Sequence, residues 1–320
     1  MSIIRSLTNI FKALWGAIIA VMLLSSACSV GFMLGSASAS GGGFFDRGDT
    51  VAVVKVVGPI MGGDREGLLS PGGAYSNEIV RQLRQAGESE SVKAVVLRVD
   101  SPGGGVTASD EIYNQVMKLR KEQGKPVVAS MGSLAASGGY YVSAAADKII
   151  ANSTSITGSI GVITVVPNLE GLMDKLGVKA EVFTSGPHKD STGFRPMSPE
   201  GREIIVGLVN DFYQRFVFVV AQGRGMDEAK VRVLADGRIY TAHQAKDAGL
   251  IDDFGDLEEA VKLAGEMGGI VGKPRVIEFR EGGLFGGVSS SLLSGMRPPA
   301  LETILRATSP FALQYLYLGP

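Results

Sequence analysis

The stretch "KAVVLRVDSPGGGV" (93–106) sets the organisation of the chain. Its first half, "KAVVLRV" (93–99), is a short run rich in β-branched residues and is followed by turn residues. This pattern is typical of a buried strand. The second half, "VDSPGGGV" (99–106), precedes a helical pattern, so several backbone N–H groups can point into a site near a helix N-terminus. A tight turn made with proline and glycine explains the same residues, so a structural and a functional interpretation both stay open.

Strands and helices alternate on both sides of this unit. Further strands are predicted over 51–57, 126–132, 148–152 and 178–184. Helical spacing places Ile79, Leu83 and Ala86 on one face, and Ile112, Val116 and Leu119 on another. The clearest helix begins at "SPE", where Ser198 is the expected cap and the apolar stripe is Ile204, Leu208, Phe212 and Phe216. This alternation predicts an α/β fold with a mostly parallel sheet that is covered on both faces.

Composition excludes several classes of function. A formal net charge of −1 and a pI near 6.2 give no electrostatic case for a nucleic-acid partner. One cysteine rules out an intrachain disulfide framework and a Cys-rich zinc site. The two histidines, His188 and His243, leave little material for a metal centre. Without a Walker A loop, an HExxH or a CxxC motif, we expect no cofactor and no metal.

The N-terminal 35 residues predict a membrane anchor. Trp15 to Leu34 are twenty residues without a charge, enough for a helix to span the hydrocarbon core of a bilayer. Arg5 and Lys12 precede this run, so the positive-inside rule puts the N-terminus in the cytoplasm and the rest of the chain outside. Cleavage as a signal peptide near "SASAS" (36–40) is the alternative, but the length of the run favours an uncleaved, single-pass anchor in the inner or plasma membrane.

The sequence divides the remaining chain into three parts. Residues 36–49 are rich in Ser and Gly and read as a flexible linker, and residues 50–281 carry the strand and helix pattern. The tail, 282–320, is predicted to form one helix and an extended segment. Its leucines and tyrosines fit docking on a neighbour or a membrane surface and fit packing on its own domain equally well.

Ser137 lies among small residues, in "GSLAASGGYYVSAA" (132–145). Alanines and glycines on both sides would let a second backbone approach the hydroxyl closely, although a glycine-rich turn between a strand and a helix needs no such role. Ala135 occupies the first glycine position of a GxSxG elbow, so an α/β-hydrolase is not expected.

A serine nucleophile needs a base. The sequence spacing indicates no acidic partner for His188 or His243, although an acidic residue close in space but distant in sequence is still possible. A lysine can serve instead when apolar surroundings keep it neutral. Lys189 is the candidate, because it follows a predicted strand and "SGP", where active-site loops commonly lie.

Five ordered motifs together resemble a known family. They are "SPGGG" (101–105), "SLAASGGYYVSAAAD" (133–147), "TGSIGV" (157–162), "SGPHKD" (185–190) and "ADGRIYTAHQAKDAGLIDD" (235–253). Their order is similar to that in signal peptide peptidase A, a family of membrane-anchored serine proteases with a Ser-Lys dyad. The resemblance covers roughly residues 50–270 and the N-terminal anchor.

The resemblance implies a role for each site residue. Ser137 would be the nucleophile, Lys189 the general base, and Ser159 the hydroxyl that holds the lysine amine. The backbone N–H groups of Gly104 and Ser137 would form the oxyanion hole, and a modifying role for His188 stays open. The implied fold is the Clp protease/crotonase-like superhelix of repeated strand-strand-helix units.

The resemblance also implies partners. One copy of the motif set matches the short form, which assembles into homo-oligomeric rings, expected to be octamers, with sites shared between neighbouring subunits. The expected substrates are remnant signal peptides and other extended apolar peptides, paired with the enzyme as an added strand. Two alternatives remain: a crotonase-like acyl-CoA enzyme, which an extracytoplasmic location disfavours, and a non-catalytic membrane scaffold.

Overall fold

The structure, a computed structural model, describes residues 48–65, 70–189, 193–279 and 314–316. The predicted anchor (1–35) and nearly all of the linker (36–49) lie outside these residues, as does the tail (282–320) except for 314–316.

The described residues form two sheets. The strands are β1 Thr50–Val57, β2 Ile60–Met61, β3 Ala74–Tyr75, β4 Val92–Ser101, β5 Gly103–Gly105, β6 Val127–Ala136, β7 Lys148–Ala151, β8 Ile156–Gly158, β9 Ile239–Thr241, β10 Asp253–Phe254, β11 Arg275–Glu278 and β12 Gln314–Leu316. The large sheet runs β10-β7-β6-β4-β1-β11, and all of these neighbours pair in parallel. The second sheet has the order β12-β5-β2-β3. The sequence therefore predicted the mostly parallel sheet correctly.

Helices cover the large sheet on both faces. They are α1 Ser76–Glu88, α2 Val106–Lys121, α3 Gly138–Ser143, α4 Glu170–Leu176, α5 Pro199–Arg224, α6 Glu228–Leu234, α7 Ala242–Asp247 and α8 Leu257–Met267. The main core joins the sheet to α1, α2, α3 and the second half of α5. A smaller core forms on the opposite face, where Ala260, Val261 and Ala264 of α8 pack on β1, β4 and β6. Burial on both faces explains why these strands are continuous apolar runs.

One predicted strand is wrong. Residues 178–184 form no strand, and Val178 and Phe183 are exposed to solvent. The alternating pattern was correct for a strand, but no neighbouring backbone pairs with this segment in the described residues, and an extended run without a partner is not a strand. Lys189 consequently follows an irregular segment rather than a strand.

The helix predicted at Ser198 is present, but its apolar stripe is only partly buried. The Ser198 hydroxyl accepts a hydrogen bond from the Gly201 N–H at 2.9 Å, so α5 begins where the sequence predicted. Phe216 is fully buried, whereas Ile204 and Leu208 are exposed in the first half. Of the helices described, α5 alone is long and apolar enough to cross a membrane, judged by length and composition. Its buried second half is part of the core.

Candidate active site around Ser137

Strand β6 delivers Ser137 to the edge of the core. Its first half pairs with β7, its second half with β8, and its pairing with β4 is shifted in register between Val99 and Ser101. Gly132 lies at this irregularity, where a Cβ atom would come within 2.7 Å of the Asp100 carboxyl carbon. The strand can therefore change partners there and continue as far as Ala136, directly before the serine.

Ser137 has a backbone conformation that L-residues rarely adopt. Its φ is 53° and its ψ −117°, and it lies between the end of β6 and the first turn of α3. The left-handed region is costly for a residue with a side chain, and such residues concentrate at functional sites. The neighbouring structure holds this conformation, because the Ser137 N–H donates to the Gly158 carbonyl at 2.7 Å and the Tyr141 N–H donates to the Ser137 carbonyl at 2.8 Å.

The two glycines after the serine let α3 approach residues 101–105, where β4 ends and β5 begins. A Cβ on Gly138 would lie 2.6 Å from the Ser109 hydroxyl oxygen and 3.1 Å from the Gly104 nitrogen. A Cβ on Gly139 would lie 2.8 Å from the Ser101 carbonyl oxygen. The space beside these glycines is therefore filled by the protein itself and not left for a substrate. This packing places Gly138 beside the backbone nitrogen of Gly104.

Buried tyrosines and an ion pair fix α3 in place. The Tyr140 hydroxyl donates to the Leu250 carbonyl at 2.8 Å, and burial raises the pKa of Tyr140 well above its ordinary value. The Tyr141 hydroxyl donates to Asp110, which also accepts from Arg215 of α5 at 3.0 Å. The pair of tyrosines after "SGG" thus has a structural role.

Ser159 lies beside Ser137 and shares its backbone strain. Ser137 (φ 53°) and Ser159 (φ 49°) are the two non-glycine residues with positive φ in the part of the chain that the structure describes. The Ser159 N–H donates to the Arg238 carbonyl at 2.7 Å. The pairing of β8 with β6 places the two serines side by side, because Ala136 pairs with Gly158. The sequence named both residues, and the structure brings them together.

Both serines line one groove of about 490 Å³. Its other walls come from Gly161, Val162, Ile163, Val209, Asn210, Tyr213, Ala235, Asp236 and Gly237. A second groove of about 490 Å³ shares Val162, Ile163 and Val209 with it and continues along the first half of α5. The combined surface is mixed: aliphatic side chains such as Val162, Ile163 and Val209 alternate with polar and charged ones, among them Asn210, Asp236, Arg195 and Arg202.

Lys189 and His188 lie outside this groove. Both side chains are exposed in the single chain, and the residues that line the groove do not include either of them. Among the described residues no ion pair or side-chain hydrogen bond holds the Lys189 ammonium. The structure of one chain thus brings together Ser137, Ser159 and Gly104, but not Lys189.

The oxyanion-hole prediction needs one change. The family resemblance assigned the Ser137 N–H to this hole, but that N–H is already donated to the Gly158 carbonyl, because β6 pairs with β8 up to the serine. The Gly138 N–H follows it in the first turn of α3, where helix N–H groups have no partner within the helix. Gly104 remains next to this position.

Sequence reasoning missed part of the groove. Asn210 and Tyr213 of α5 and Asp236 in the loop before β9 all line it. The only signal for α5 was its apolar stripe, which gave no reason to single out its polar residues. Asp236 lies within the motif 235–253, in which the resemblance gave no residue a role. In the described ranges, no group of three or more His, Cys, Asp or Glu residues could hold a metal ion.

Two protein-family models match this chain. The model of "Peptidase family S49" matches residues 119–270, and the "Clp protease" model matches residues 72–156. The second match confirms the predicted Clp protease-like fold class. A solved structure, that of a ClpP1 mutant from Listeria monocytogenes, aligns with a TM-score of 0.43 and 16% identity over 65% of this chain and 94% of that one.

Several curated relatives are proteases by name. "Putative protease slr0021" of Synechocystis is 40% identical over 221 residues, which are 69% of this chain and 75% of that protein. "Putative signal peptide peptidase SppA" of Enterococcus faecium is 41% identical over 213 residues, 66% of this chain and 61% of that protein. "Protease 4" of Haemophilus influenzae is 39% identical over 217 residues, 68% of this chain, and the match spans only 34% of that protein.

The match to "Peptidase family S49" includes the strand that carries Ser137, the loop of Ser159 and the segment of Lys189. With a relative at 40% identity covered over 75% of its length, and with the S49 model matched across the groove, the chain belongs to peptidase family S49.

Proposed function

We propose that this chain is a membrane-anchored serine endopeptidase that hydrolyses remnant signal peptides after their release by leader peptidase. The observation that carries the proposal is the position of Ser137. A serine with positive φ lies at a strand-helix junction, in a groove with both apolar and polar walls, beside a second such serine. Membership of family S49 supports hydrolysis of peptide bonds as the reaction.

The proposed reaction begins with attack by the Ser137 hydroxyl oxygen on the substrate carbonyl carbon. The neutral amine of Lys189 takes the hydroxyl proton, and the carbonyl oxygen becomes an anion. Backbone N–H groups stabilise such an anion when they are fixed in advance. We assign this role to Gly104 and Gly138, since the Ser137 N–H is already donated to Gly158. Lys189 then protonates the departing amine, and water hydrolyses the acyl-enzyme.

The base would come from a neighbouring subunit. Lys189 is exposed in one chain, whereas a lysine acts as a base only when it is desolvated. Its surroundings support a docking role, because Leu172, Leu176, Val178 and Phe183 are exposed in the same segment. Large exposed apolar patches mark interaction sites. A homo-oligomeric ring, expected to be an octamer, would bury this segment beside the next subunit's groove and leave the amine near Ser159.

The strand β5 supports binding of an extended peptide. Its backbone already pairs antiparallel with β12 of the tail, with Gln314 opposite Gly105, Tyr315 opposite Gly104 and Leu316 opposite Gly103. A peptide on this edge would lie next to Ser137, and main-chain pairing of this kind gives affinity without a particular sequence. The aliphatic side chains of the groove, Val162, Ile163 and Val209, would favour substrates with apolar side chains. The tail strand would then compete with substrates for the same edge.

The membrane location rests on the sequence. The uncharged run Trp15–Leu34 would anchor the chain in the membrane where released signal peptides lie. An N-terminus in the cytoplasm and a protease domain outside it follow from Arg5 and Lys12.

Cleavage of a synthetic signal peptide in detergent by the full-length chain tests the proposal. We expect S137A and K189A each to lower kcat by about 10³-fold or more, as loss of a nucleophile or base does in serine proteases. S159A should lower it by about 10² to 10⁴, the range for a group that assists proton transfer. K175A is the matched control, because Lys175 is an exposed lysine of α4 in the same segment. Substantial cleavage by S137A or K189A would contradict the dyad, and assembly without any cleavage by the wild type would favour the scaffold.

A further inference from the structure

The motif that begins "ADGRIYT" (235–241) forms one wall of the Ser137 groove without a role in the reaction proposed above. Asp236 and Gly237 line the groove directly. The strand β9 that follows pairs antiparallel with β8, with Ile239 opposite Gly158. The motif therefore contacts the strand that ends directly before Ser159.

The two serines belong to one series of backbone hydrogen bonds. The Ser137 N–H donates to the Gly158 carbonyl, the Ser159 N–H donates to the Arg238 carbonyl, and each distance is 2.7 Å. Gly158 has a φ of 83°, so two consecutive residues, Gly158 and Ser159, have left-handed backbone. Strained backbone persists only when its surroundings fix it. The Arg238 carbonyl is the group that fixes Ser159.

Asp236 in turn fixes Arg238. Its carboxylate accepts from the Arg238 Nε at 2.9 Å and 2.7 Å, from the Arg238 Nη2, and from the Arg238 backbone N–H at 3.1 Å. The hydrogen bonds from Arg238 hold the pKa of Asp236 below its usual range, so the carboxylate is ionised at neutral pH. Gly237 between them has a φ of 90°, and the Tyr240 hydroxyl closes the loop on the Leu234 carbonyl at 2.9 Å.

We infer that Asp236 is a positioning residue for peptide cleavage: through Arg238 it fixes the backbone of Ser159 and with it the direction of the Ser159 hydroxyl. The inference rests on the proposed function, in which that hydroxyl holds the lysine amine. An exposed ion pair contributes little to the stability of a fold. In this inference the pair acts on the geometry of the site instead, where a misplacement of about 1 Å can cost about 10²-fold in rate.

Kinetics of single and double variants test this role in the full-length chain. D236A should lower kcat for a synthetic signal peptide by about 10- to 100-fold, with KM and Tm unchanged. D236N should lose less, since its amide oxygen still accepts the Arg238 N–H. The double variant S159A/D236A should be no slower than S159A, because two residues that act through one contact are not additive. E228Q is the matched control, since Glu228 forms an exposed pair with Arg232 on α6 outside the groove.

Three results would overturn the inference. One is a wild-type kcat in D236A; another is a loss in S159A/D236A equal to the product of the two single losses; the third is a fall in kcat in both D236A and D236N that follows a fall in Tm. S137A separates this inference from the proposed function. An inactive S137A with a wild-type D236A rejects the positioning role alone, whereas cleavage by S137A rejects the proposed function itself.

Discussion

Two regions of the molecule carry the two halves of the proposed dyad, and they are built differently. The first, which we call the serine frame, consists of β6, β8 and β9 with Ser137 and Ser159. Ser137 is only 1% exposed, and both serines are held by backbone hydrogen bonds. The second, the lysine segment, comprises residues 163–189 and 193–198. It contains one short helix, α4, and Lys189 is exposed.

This difference shows which half of the site a single chain can complete. The serine frame is positioned by the core, because β6 runs between β4, β7 and β8. The lysine segment instead presents apolar side chains to solvent, and Leu176 is 67% exposed. A chain that exposes apolar residues beside a candidate base has the properties of one half of an interface. We therefore expect the frame to be complete in each chain and the lysine segment to be buried by contact with another chain.

The largest expected effect is the recovery of cleavage when two inactive variants, one altered in each region, are mixed. S137A and K189A should each be inactive alone, because each lacks one half of the dyad. In rings of random composition, about one quarter of the junctions should combine an intact serine with an intact lysine from the neighbour. Cleavage should rise from background to about that share of the wild-type rate after subunit exchange. Inactive mixtures, in rings shown to have exchanged subunits, would place both groups in the same chain.

A pair of phenylalanine truncations separates the two regions by stability. Phe216 is fully buried in the main core, so F216A should cost about 3–5 kcal/mol in the free energy of unfolding. Phe183 is 89% exposed in the lysine segment, so F183A should stay within about 0.5 kcal/mol in chains held as monomers. Chemical denaturation measures both values. A stabilising role of Phe183 that persists in the monomer would contradict the exposed position of the segment.

The pH dependence of the unfolding free energy tests the ion pair between Asp252 and Arg224, which lies next to the core beneath the serine frame. Asp252 accepts from Arg224 of α5 at 2.9 Å and from the Ile149 N–H at 2.8 Å, and the Arg224 side chain is only 8% exposed. Burial opposes the charge, but these hydrogen bonds outweigh it and hold the pKa of Asp252 below its usual value. The stabilisation is therefore fully present above the ordinary carboxyl pKa and is lost as the pH falls through the lowered one.

D252N should accordingly destabilise the fold by about 1.5–3 kcal/mol at pH 7, the range for hydrogen bonds to charged groups. The difference from the wild type should shrink as the pH falls through the lowered pKa of Asp252. D253N is the control, because its neighbour Asp253 pairs with Lys246 at the surface and should give no measurable change. Denaturation curves between neutral and acidic pH provide the measurement, and a constant difference at all pH values would contradict the assignment.

Removal of the tail strand gives the smallest expected effect. A chain that ends at residue 313 frees the edge of β5 that β12 occupies. Each backbone hydrogen bond contributes about 0.5–1.5 kcal/mol net, so KM for a peptide substrate should fall by about two- to tenfold. T308A, in the same tail but outside β12, is the control variant. An unchanged or higher KM in the truncated chain would show that β12 does not compete with peptides for β5.

Much of the large sheet and several residues of the candidate site could be predicted from the sequence, because their determinants are local. Strands β1, β4 and β7 appear as continuous apolar runs, and Ser198 and Pro199 mark the start of α5. Ser137, Ser159 and Gly104 could be named from motifs and a family resemblance, and the structure brings them to one site. The roles of Ser137, Ser159, Gly104 and Lys189 stay predictions until the variants are measured.

The sequence failed where the outcome depended on a partner in space. Residues 178–184 have the pattern of a strand but, among the residues described, no neighbouring strand to pair with. The stripe of α5 predicted burial along its length, yet only its second half meets the core. The family resemblance assigned the Ser137 N–H to the oxyanion hole, but this N–H donates to the Gly158 carbonyl, because β6 pairs with β8.

By itself, the sequence determined the elements of this protein and the identity of its candidate nucleophile, because strand runs, helix caps and short motifs act over a few residues. Only the tertiary structure decided which groups meet: that Asp236 reaches Ser159 through Arg238, that Gly138 approaches Gly104, and that Lys189 stays at the surface of a single chain. These contacts join residues distant in the chain, and close packing, which no local pattern encodes, selects them.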